Sequence, residues 1–473
     1  MIPNSLGGSP ELVRLQLFRE TLYSDVLTRG REALFELLDA LLDLGPVPSL
    51  VELSQSPFFR REWPSVYAAL GEGRIDSGAW RQLSREYLPE AERLLLVVDV
   101  TTWLLPEAET LPERGVHHVA TSLCTKEKLG IGYAYSTLGV VPEAEGSWFL
   151  PLAQKRVVPS RNNLEVAAEP WREEAKSLPG RAVAVLDREY GNGTFLDLLA
   201  PLEQPLKPNA KRWTVADPAD SPVDVLARLA GNRTFYQRPP AYAGWGRPRV
   251  HVAAFRMQGA STWPKPDQEE WVCDRKWGLV HLRAWHHLHS EDHPWREVTL
   301  VLVERPGASG SRRQPKRIWL LWYGTTMPSL ETLWRWYERR FSVEHWHRFG
   351  KQTLNWTRPH LGAPERLDRW GQVVMLATWE LWLARPIPVG EVKRWQKRPA
   401  DPQGRTPGQV RQGMRALLGV LGTPVPPPQP RGRARGRRKG QSPGRKTRYE
   451  VVKKARKGRA GAGGTQTATA QTA

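Results

Sequence analysis

A short, almost entirely apolar segment constrains the fold of this chain more than any other feature. Residues 94–100 read LLLVVDV, in which Asp99 is the only polar residue. An apolar run of this length, bounded by a Pro-containing loop, is typical of a strand that is covered on both faces of a sheet. A second such run, AVAVLD, ends at Asp187. Because strand-like segments come first and then alternate with helical ones, the pattern predicts an α/β fold with a mixed sheet.

Changes in pattern divide the chain into five segments. The first is helical, the second carries both aspartate runs, and the third is rich in strands and tryptophan. The fourth returns to helices, and the fifth is a Pro-rich linker followed by a basic tail that is expected to be disordered. The predicted boundaries are 1–88, 89–215, 216–325, 326–390 and 391–473.

The net charge points to an anionic partner. The chain has 69 Lys+Arg against 49 Asp+Glu, a formal charge of +20. Nucleic acid is the first expectation and an acidic membrane surface the second. Residues 431–460 hold 14 basic residues and one acidic residue, so most of the excess lies in the tail. The tail is therefore predicted to add sequence-independent DNA affinity.

Cysteine usage and hydropathy indicate a cytoplasmic protein. The two cysteines, Cys124 and Cys273, are 149 positions apart, which does not suit a disulfide framework and favours a reducing compartment. The N-terminus lacks the basic and apolar regions of a secretory signal. No apolar run approaches the roughly 20 residues of a membrane span. We expect no membrane association.

Asp99 and Asp187 are the first candidates for a chemical role. A carboxylate within a buried strand is costly to desolvate unless a metal ion, a cation or a hydrogen-bond donor meets it. A carboxylate at the end of a strand in an open α/β sheet faces the usual ligand crevice. Either residue alone is more often a hydrogen-bonded structural aspartate. Two of them on separate core strands favour a site for a hard cation.

Four residues further along share one side of a predicted helix. Tyr337, Arg340, Glu344 and Lys351 are separated by three, four and seven positions. At about 100° per residue, these spacings bring the four side chains within roughly 60° of one another. One interpretation is a solvated face with ion pairs between residues four apart. The other is a functional site.

The second interpretation is favoured by a resemblance. The Tyr-x2-Arg-x3-Glu-x6-Lys pattern, downstream of DVTTW and LDREYGNG, resembles the YREK signature of bacterial insertion-sequence DDE transposases. The resemblance covers residues 93–385 and implies a ribonuclease H-like catalytic domain with a β-rich insertion, here 216–325. It further implies that Asp99, Asp187 and Glu344 are the catalytic triad and bind two Mg²⁺ (or Mn²⁺) ions. The implied reaction is metal-dependent cleavage at transposon ends and transfer of the 3′-hydroxyl into target DNA.

The same resemblance implies DNA contacts. Tyr337, Arg340 and Lys351 would contact phosphates near the transposon end, where cations offset the charge of the backbone. An aromatic residue of the insertion stacks on a flipped base in this group, and Trp319 and Trp322 are the candidates.

The implied partners are terminal inverted repeats and target DNA. The helical segment 1–88 would bind the repeat, and a homodimer would hold paired ends in a synaptic complex. Two alternatives remain at this point. One is an inactive or domesticated DNA-binding protein derived from a transposase, and the other is a ribonuclease H-like nuclease that cuts without joining.

Two further kinds of site are not expected. Five histidines between His281 and His293 lie near Cys273, but they lack a recognised zinc-ligand spacing. No phosphate-binding Walker A motif or dinucleotide glycine motif is present. Zinc binding and nucleotide hydrolysis are therefore not predicted.

Overall fold

The structure of the chain is a computed structural model. The description covers residues 8–118, 129–143, 146–176, 178–201, 215–239, 249–311, 314–387, 402–429, 436, 440 and 444–453. Most of the basic run 431–460 and all of the uncharged residues 461–473, expected to be disordered, lie outside the described residues.

The described residues form eleven α-helices and fourteen strands. The helices are α1 (Pro10–Thr21), α2 (Arg31–Leu44), α3 (Leu50–Leu53), α4 (Pro64–Glu72), α5 (Ser77–Glu86), α6 (Asn163–Ala175), α7 (Gly193–Leu199), α8 (Leu330–Arg339), α9 (Ser342–Gln352), α10 (Pro364–Ala384) and α11 (Pro407–Leu421). The strands are β1 (Leu27–Arg29), β2 (Arg74–Ile75), β3 (Leu95–Leu104), β4 (Gly115–His118), β5 (Leu129–Val141), β6 (Leu150–Val157), β7 (Val183–Leu186), β8 (Asp224–Arg228), β9 (Thr234–Gln237), β10 (Ala254–Arg256), β11 (Gln268–Asp274), β12 (Gly278–Ser290), β13 (Val298–Glu304) and β14 (Arg317–Tyr323).

Twelve strands form one large sheet. Its order is β10-β9-β12-β13-β14-β8-β7-β3-β5-β4, with β11 beside β12 and β6 beside β5. Strand β7 pairs in parallel with both β3 and β8, and the other pairs are antiparallel. The prediction of an α/β fold with a mixed sheet is confirmed. The segment expected as an insertion, 216–325, supplies β8–β14 and extends this same sheet.

The helix predicted to carry Tyr337, Arg340, Glu344 and Lys351 is not continuous. Helix α8 ends at Arg339 and α9 begins at Ser342. The amide of Arg340 bonds to the Tyr337 carbonyl at 3.2 Å, three residues back, which tightens the last turn of α8. The prediction of a single helix is therefore wrong. The spacing of apolar residues does not reveal a local change in the backbone hydrogen bonding of one helical turn.

Part of the segment expected as linker and disordered tail is ordered. Helix α11 begins with a capping box formed by Thr406 and Gln409 and packs against α2 and α10. Val410, Met414 and Leu417 are buried there at helical spacing. That apolar stripe explains why the segment docks rather than remaining a linker.

The C-terminal segment 444–453 also lies on the fold. The amide of Tyr449 donates to the Glu109 carbonyl at 2.8 Å, and the amide of Val452 donates to the Arg114 carbonyl at 2.8 Å. Val452 forms a parallel bridge with Gly115, at the start of β4. Tyr449 and Val452 of the tail are thus paired with the body of the protein, because the edge strand β4 and the loop before it offer free backbone groups.

The helices of the N-terminal segment bury an ionic cluster. Arg19 of α1 pairs with Asp39 of α2 at 2.8 Å and with Glu380 of α10, and all three side chains are buried. No helix among the described residues is long and apolar enough to cross a bilayer.

Candidate active site

Asp99 and Asp187 lie at the same level of two neighbouring strands. Strands β3 and β7 are parallel, and Val97 is opposite Val185. Two residues further on, Asp99 on β3 and Asp187 just beyond β7 follow on the same face of the sheet. Neighbouring strands are about 4.8 Å apart. The two predicted aspartates are therefore brought together by the pairing of their strands.

Glu344 reaches the same place from a helix. It lies in the first turn of α9, which packs against β3 and β5. Its side chain is 48% exposed. Asp99 interacts electrostatically with both Asp187 and Glu344. Asp99 thus lies close enough to the other two predicted carboxylates for their charges to affect it.

Asp99 has a strongly perturbed pKa because it is buried. Its side chain is only 23% exposed. Burial raises the pKa of Asp99 to about 7, the positive charge of Arg340 opposes that rise, and the negative charges of Asp187 and Glu344 add to it. Perturbed carboxylates of this kind concentrate at functional sites.

Arg340 is the counter-ion of this cluster. Its side chain is buried, and its Nη2 donates to Glu344 Oε1 at 3.0 Å. Burial alone would lower the pKa of Arg340, but the neighbouring Tyr337, Asp187, Asp99 and Glu344 outweigh it and raise that pKa. Arg340 therefore does not lie on a solvated helix face, which was the first of the two interpretations.

The other two members of the predicted stripe are also drawn inward. Lys351 Nζ donates to Thr101 Oγ1 at 2.6 Å and to the Thr102 carbonyl at 2.9 Å, both on β3. Burial lowers the pKa of Lys351 to about 8, against the opposing effect of Asp99. Tyr337 is fully buried, and Lys351 is partly buried with its ammonium group bonded to β3, so neither is a freely exposed DNA contact.

His347 and Tyr190 belong to the site, although sequence reasoning gave neither a role there. His347 Nδ1 lies 3.5 Å from Asp99 Oδ2. Burial, with a smaller contribution from Lys351, lowers the pKa of His347 to about 3, so this is a polar contact of a neutral imidazole and not an ion pair. His347 is three residues after Glu344 and therefore lies on the same face of the helix. This spacing is the sequence signal that could have identified His347 as a site residue.

Tyr190 comes from the LDREYGNG motif and is buried near Asp99 and Asp187. Burial raises the pKa of Tyr190 well above its ordinary value, and the neighbouring carboxylates reinforce the effect. Its glycines interrupt the extended run, so the motif predicts a turn and the start of a helix after Asp187, and nothing in it marks Tyr190 as a site residue.

Several polar atoms of the site are buried without a hydrogen-bond partner within the described part of the chain. They are Tyr190 Oη, Tyr337 Oη, Arg340 Nε and His347 Nε2. Buried polar atoms in native proteins are rarely left unpaired, and bound water or an ion is a common explanation. Carboxylate oxygens are the ligands that Mg²⁺ and Mn²⁺ prefer. The carboxylates of Asp99, Asp187 and Glu344 are therefore ligands of the type that a hard divalent cation takes.

The spacing of the carboxylates does not by itself form a metal site. Among the residues that the structure describes, no three His, Cys, Asp or Glu side chains are grouped so that they could hold a metal ion. The guanidinium of Arg340 supplies the positive charge that the cluster requires in this arrangement.

Trp319 and Trp322, the candidates for base stacking, lie in the core. They are 6% and 3% exposed. Trp319 contacts the rings of Trp263 and Trp285, and Trp322 contacts that of Trp336. Stacking on a flipped base would require these rings to leave their packing, so their burial does not support the role that the resemblance implied.

No family model matches the chain, and a search of curated proteins finds no significant match. The residues of the site are therefore the basis for a functional conclusion.

Proposed function

We propose that the chain is a DDE transposase of an insertion sequence, which cleaves transposon ends and transfers the 3′-hydroxyl into target DNA. One observation carries the proposal. Asp99, Asp187 and Glu344 come from β3, the end of β7 and α9, and their charges interact at one place. They are separated by long stretches of sequence and match the YREK-type pattern in order and type.

The chemistry of phosphoryl transfer explains why these residue types are needed. Asp99, Asp187 and Glu344 would hold Mg²⁺ or Mn²⁺, which supplies activation of a hydroxyl nucleophile and stabilisation of the leaving oxygen. Arg340 and Lys351 offset the negative charge of the phosphate as it approaches the carboxylates. His347 is neutral and contacts Asp99, so it orients that carboxylate without adding charge.

The finer description of the fold is part of the proposal. A ribonuclease H-like catalytic core is supported by the mixed sheet, by aspartates at the same level of adjacent parallel strands, and by a glutamate on a helix packed against them. The β-rich segment would then be the insertion between the second aspartate and the glutamate. Double-stranded DNA is the proposed partner, with a homodimer acting on paired ends.

A second candidate function has one observation in its favour. Arg340 already neutralises Glu344 at 3.0 Å, and the described residues contain no group of three spaced for a metal ion. A DNA-binding protein derived from a transposase, with the acidic residues kept but the reaction lost, would have this arrangement.

Strand-transfer assays separate these possibilities. The purified chain is incubated with Mg²⁺ and a duplex that carries the inverted repeats flanking its gene. Nicked ends together with joined products support the transposase, provided that both disappear in Glu344→Gln. Cleavage without joining indicates a nuclease. Specific binding without either product indicates the non-catalytic protein.

A further inference from the structure

Residues 444–453, here called the docked segment, are held on the body of the protein by backbone hydrogen bonds. The Tyr449 amide donates to the Glu109 carbonyl at 2.8 Å, and the Val452 amide donates to the Arg114 carbonyl at 2.8 Å. Val452 also pairs in parallel with the first residue of β4. Bonds of this kind add a strand-like segment to the free edge of a sheet. They fix the register of the docked segment, which attraction between opposite charges alone would not do.

A buried guanidinium of the body faces the same segment. Arg114 is 2% exposed. Its Nε and Nη1 donate to three carbonyls of its own loop at 2.9–3.3 Å, those of Leu105, Pro106 and Leu111. Its Nη2 donates to the Tyr449 carbonyl at 3.2 Å. Because a buried guanidinium requires acceptors for its N–H groups, the docked segment completes a set of acceptors that the loop supplies only in part.

The surface beneath the docked segment is acidic. The loop 105–114 has three exposed carboxylates, those of Glu107, Glu109 and Glu113. Glu113 pairs with Arg156 of the body at 3.2 Å, and Arg448 of the docked segment lies 3.2 Å from Glu109. The docked segment contains four basic residues and one acidic residue, a net charge of +3. Without it, this edge would present negative charge to an approaching phosphate.

This edge continues from the candidate active site. Strand β3 carries Asp99 and runs on for five residues to Leu104, about 17 Å further along, and the acidic loop begins there. On the side of the α9–α10 connection, Lys446 Nζ lies next to Gly362. DNA that runs from the site along β3 would therefore meet the docked segment about five base pairs from Asp99.

We propose that the docked segment is a built-in cover for the edge formed by the loop 105–114 and β4, and that it converts an acidic surface into one that binds the phosphates of duplex DNA. The side chains of Arg445, Lys446 and Lys453 are exposed and supply the positive charge. Neutralising phosphates releases counterions, which provides the affinity. The docking is a property of this chain alone, whereas its use in binding DNA rests on the proposed function.

A single proline can release the docked segment. Proline has no amide hydrogen, so Val452→Pro removes the bond to the Arg114 carbonyl. Val451→Pro is the matched control, because the Val451 amide makes no backbone hydrogen bond with the described part of the chain. Both substitutions lie beyond α11, the last helix that the structure describes, so thermal unfolding of the body should be unchanged in both.

Hydrogen exchange measures the docking in the full chain without DNA. We expect the Tyr449 amide to exchange about tenfold faster in V452P than in the parent, because local opening of the segment exposes that amide to water. V451P should behave like the parent. Equal exchange rates in all three chains would overturn the docking.

DNA binding measures the role of the cover. The probe is a duplex of arbitrary sequence in the presence of EDTA, so that cleavage does not interfere. V452P should bind it roughly tenfold more weakly than the parent and V451P, since about three cations leave the edge and two carboxylates are uncovered. Replacing Glu107 and Glu109 by glutamine in V452P should restore most of the affinity, because the surface no longer repels phosphate.

The outcomes separate the cover from the proposed function. Unchanged affinity in V452P, or no recovery after the two glutamine substitutions, would overturn the cover. Tighter binding by V452P would also overturn it and would make the docked segment an inhibitor of DNA binding. A chain that shows the expected affinities but never cleaves or joins DNA with the inverted repeats would contradict the proposed function and leave the cover supported.

Discussion

The guanidinium of Arg340 donates a 3.0 Å hydrogen bond to the Glu344 carboxylate across the break between α8 and α9. Exposed pairs four residues apart contribute little, because water screens both charges. Arg340 is 3% exposed, however, and also interacts with Asp99 and Asp187. One buried cation thus compensates three carboxylates, and this arrangement determines how the site responds to mutation, metal and pH.

Neutral replacements of the carboxylates test the proposed chemistry. Asp99→Asn, Asp187→Asn and Glu344→Gln should each lower the cleavage rate by roughly 10²–10³-fold or more, as expected when charge stabilisation of a transition state is removed. The fold should be retained, and Asp99→Asn should be at least as stable as the parent, because a buried charge is removed. Single-turnover cleavage and urea unfolding measure the two effects. The exposed Glu365→Gln is the control, and full activity in any of the three variants would contradict the triad.

Removal of Arg340 should make stability depend on divalent cations. Arg340→Gln is expected to lower the free energy of unfolding by about 2 kcal/mol, less than the roughly 3–5 kcal/mol of a fully buried pair because Glu344 is half exposed. Mg²⁺ should raise the melting temperature more in this variant than in the parent, since it replaces the missing positive charge. The exposed Arg348→Gln should behave like the parent. Equal Mg²⁺ responses in both chains would show that Arg340 does not compensate the cluster.

Asp99 should make the protein less stable as pH rises. Burial raises the pKa of Asp99 to about 7 in the folded chain, whereas an unfolded aspartate titrates near 3.9. The folded state therefore retains a proton that the unfolded state has released, and the stability present below about pH 4 declines up to pH 7. Urea unfolding at pH 5 and pH 8 measures this decrease in the free energy of unfolding. The decrease should be smaller in Asp99→Asn than in the parent. Equal decreases would place the pKa of Asp99 near its ordinary value.

The buried ionic cluster of the N-terminal helices should be sensitive to loss of its cation. Arg19→Met leaves Asp39 and Glu380 buried without their counter-ion. The free energy of unfolding should therefore fall by about 3–5 kcal/mol. Arg29→Met breaks an exposed pair with Glu72 at 3.4 Å and should cost about 0–1 kcal/mol. Denaturant titration of the two variants gives the comparison. A similar small cost for both would mean that the cluster has access to water.

Two truncations separate the roles of the basic tail. Ending the chain at residue 453 keeps the segment on β4, and ending it at 430 removes that segment as well. Each DNA phosphate that the shortened chain no longer neutralises should reduce the slope of log affinity against log salt by about 0.9, with the larger reduction in the shorter chain. Metal-dependent cleavage at low salt should persist in both. An unchanged slope would assign DNA affinity to the body of the protein.

The strands were predictable from the sequence to a greater extent than the site. The run around Asp99 and the run before Asp187 both form strands, and the helical segments at the N-terminus and around Glu344 are present. These predictions rest on local periodicity, which burial imposes directly on neighbouring residues. The break after Arg339 escaped prediction because it depends on a change in hydrogen bonding within one turn.

By itself, the sequence determined which segments are buried strands and where an acidic residue interrupts them, because burial on both faces demands continuous apolar residues. Only the tertiary structure decided that β3 pairs in parallel with β7, that Arg340 faces the carboxylates, and that Trp319 lies in the core rather than at the surface. Those features arise from contacts between residues far apart in the chain. Their energies depend on which surfaces exclude water together, and no local pattern of residues carries that information.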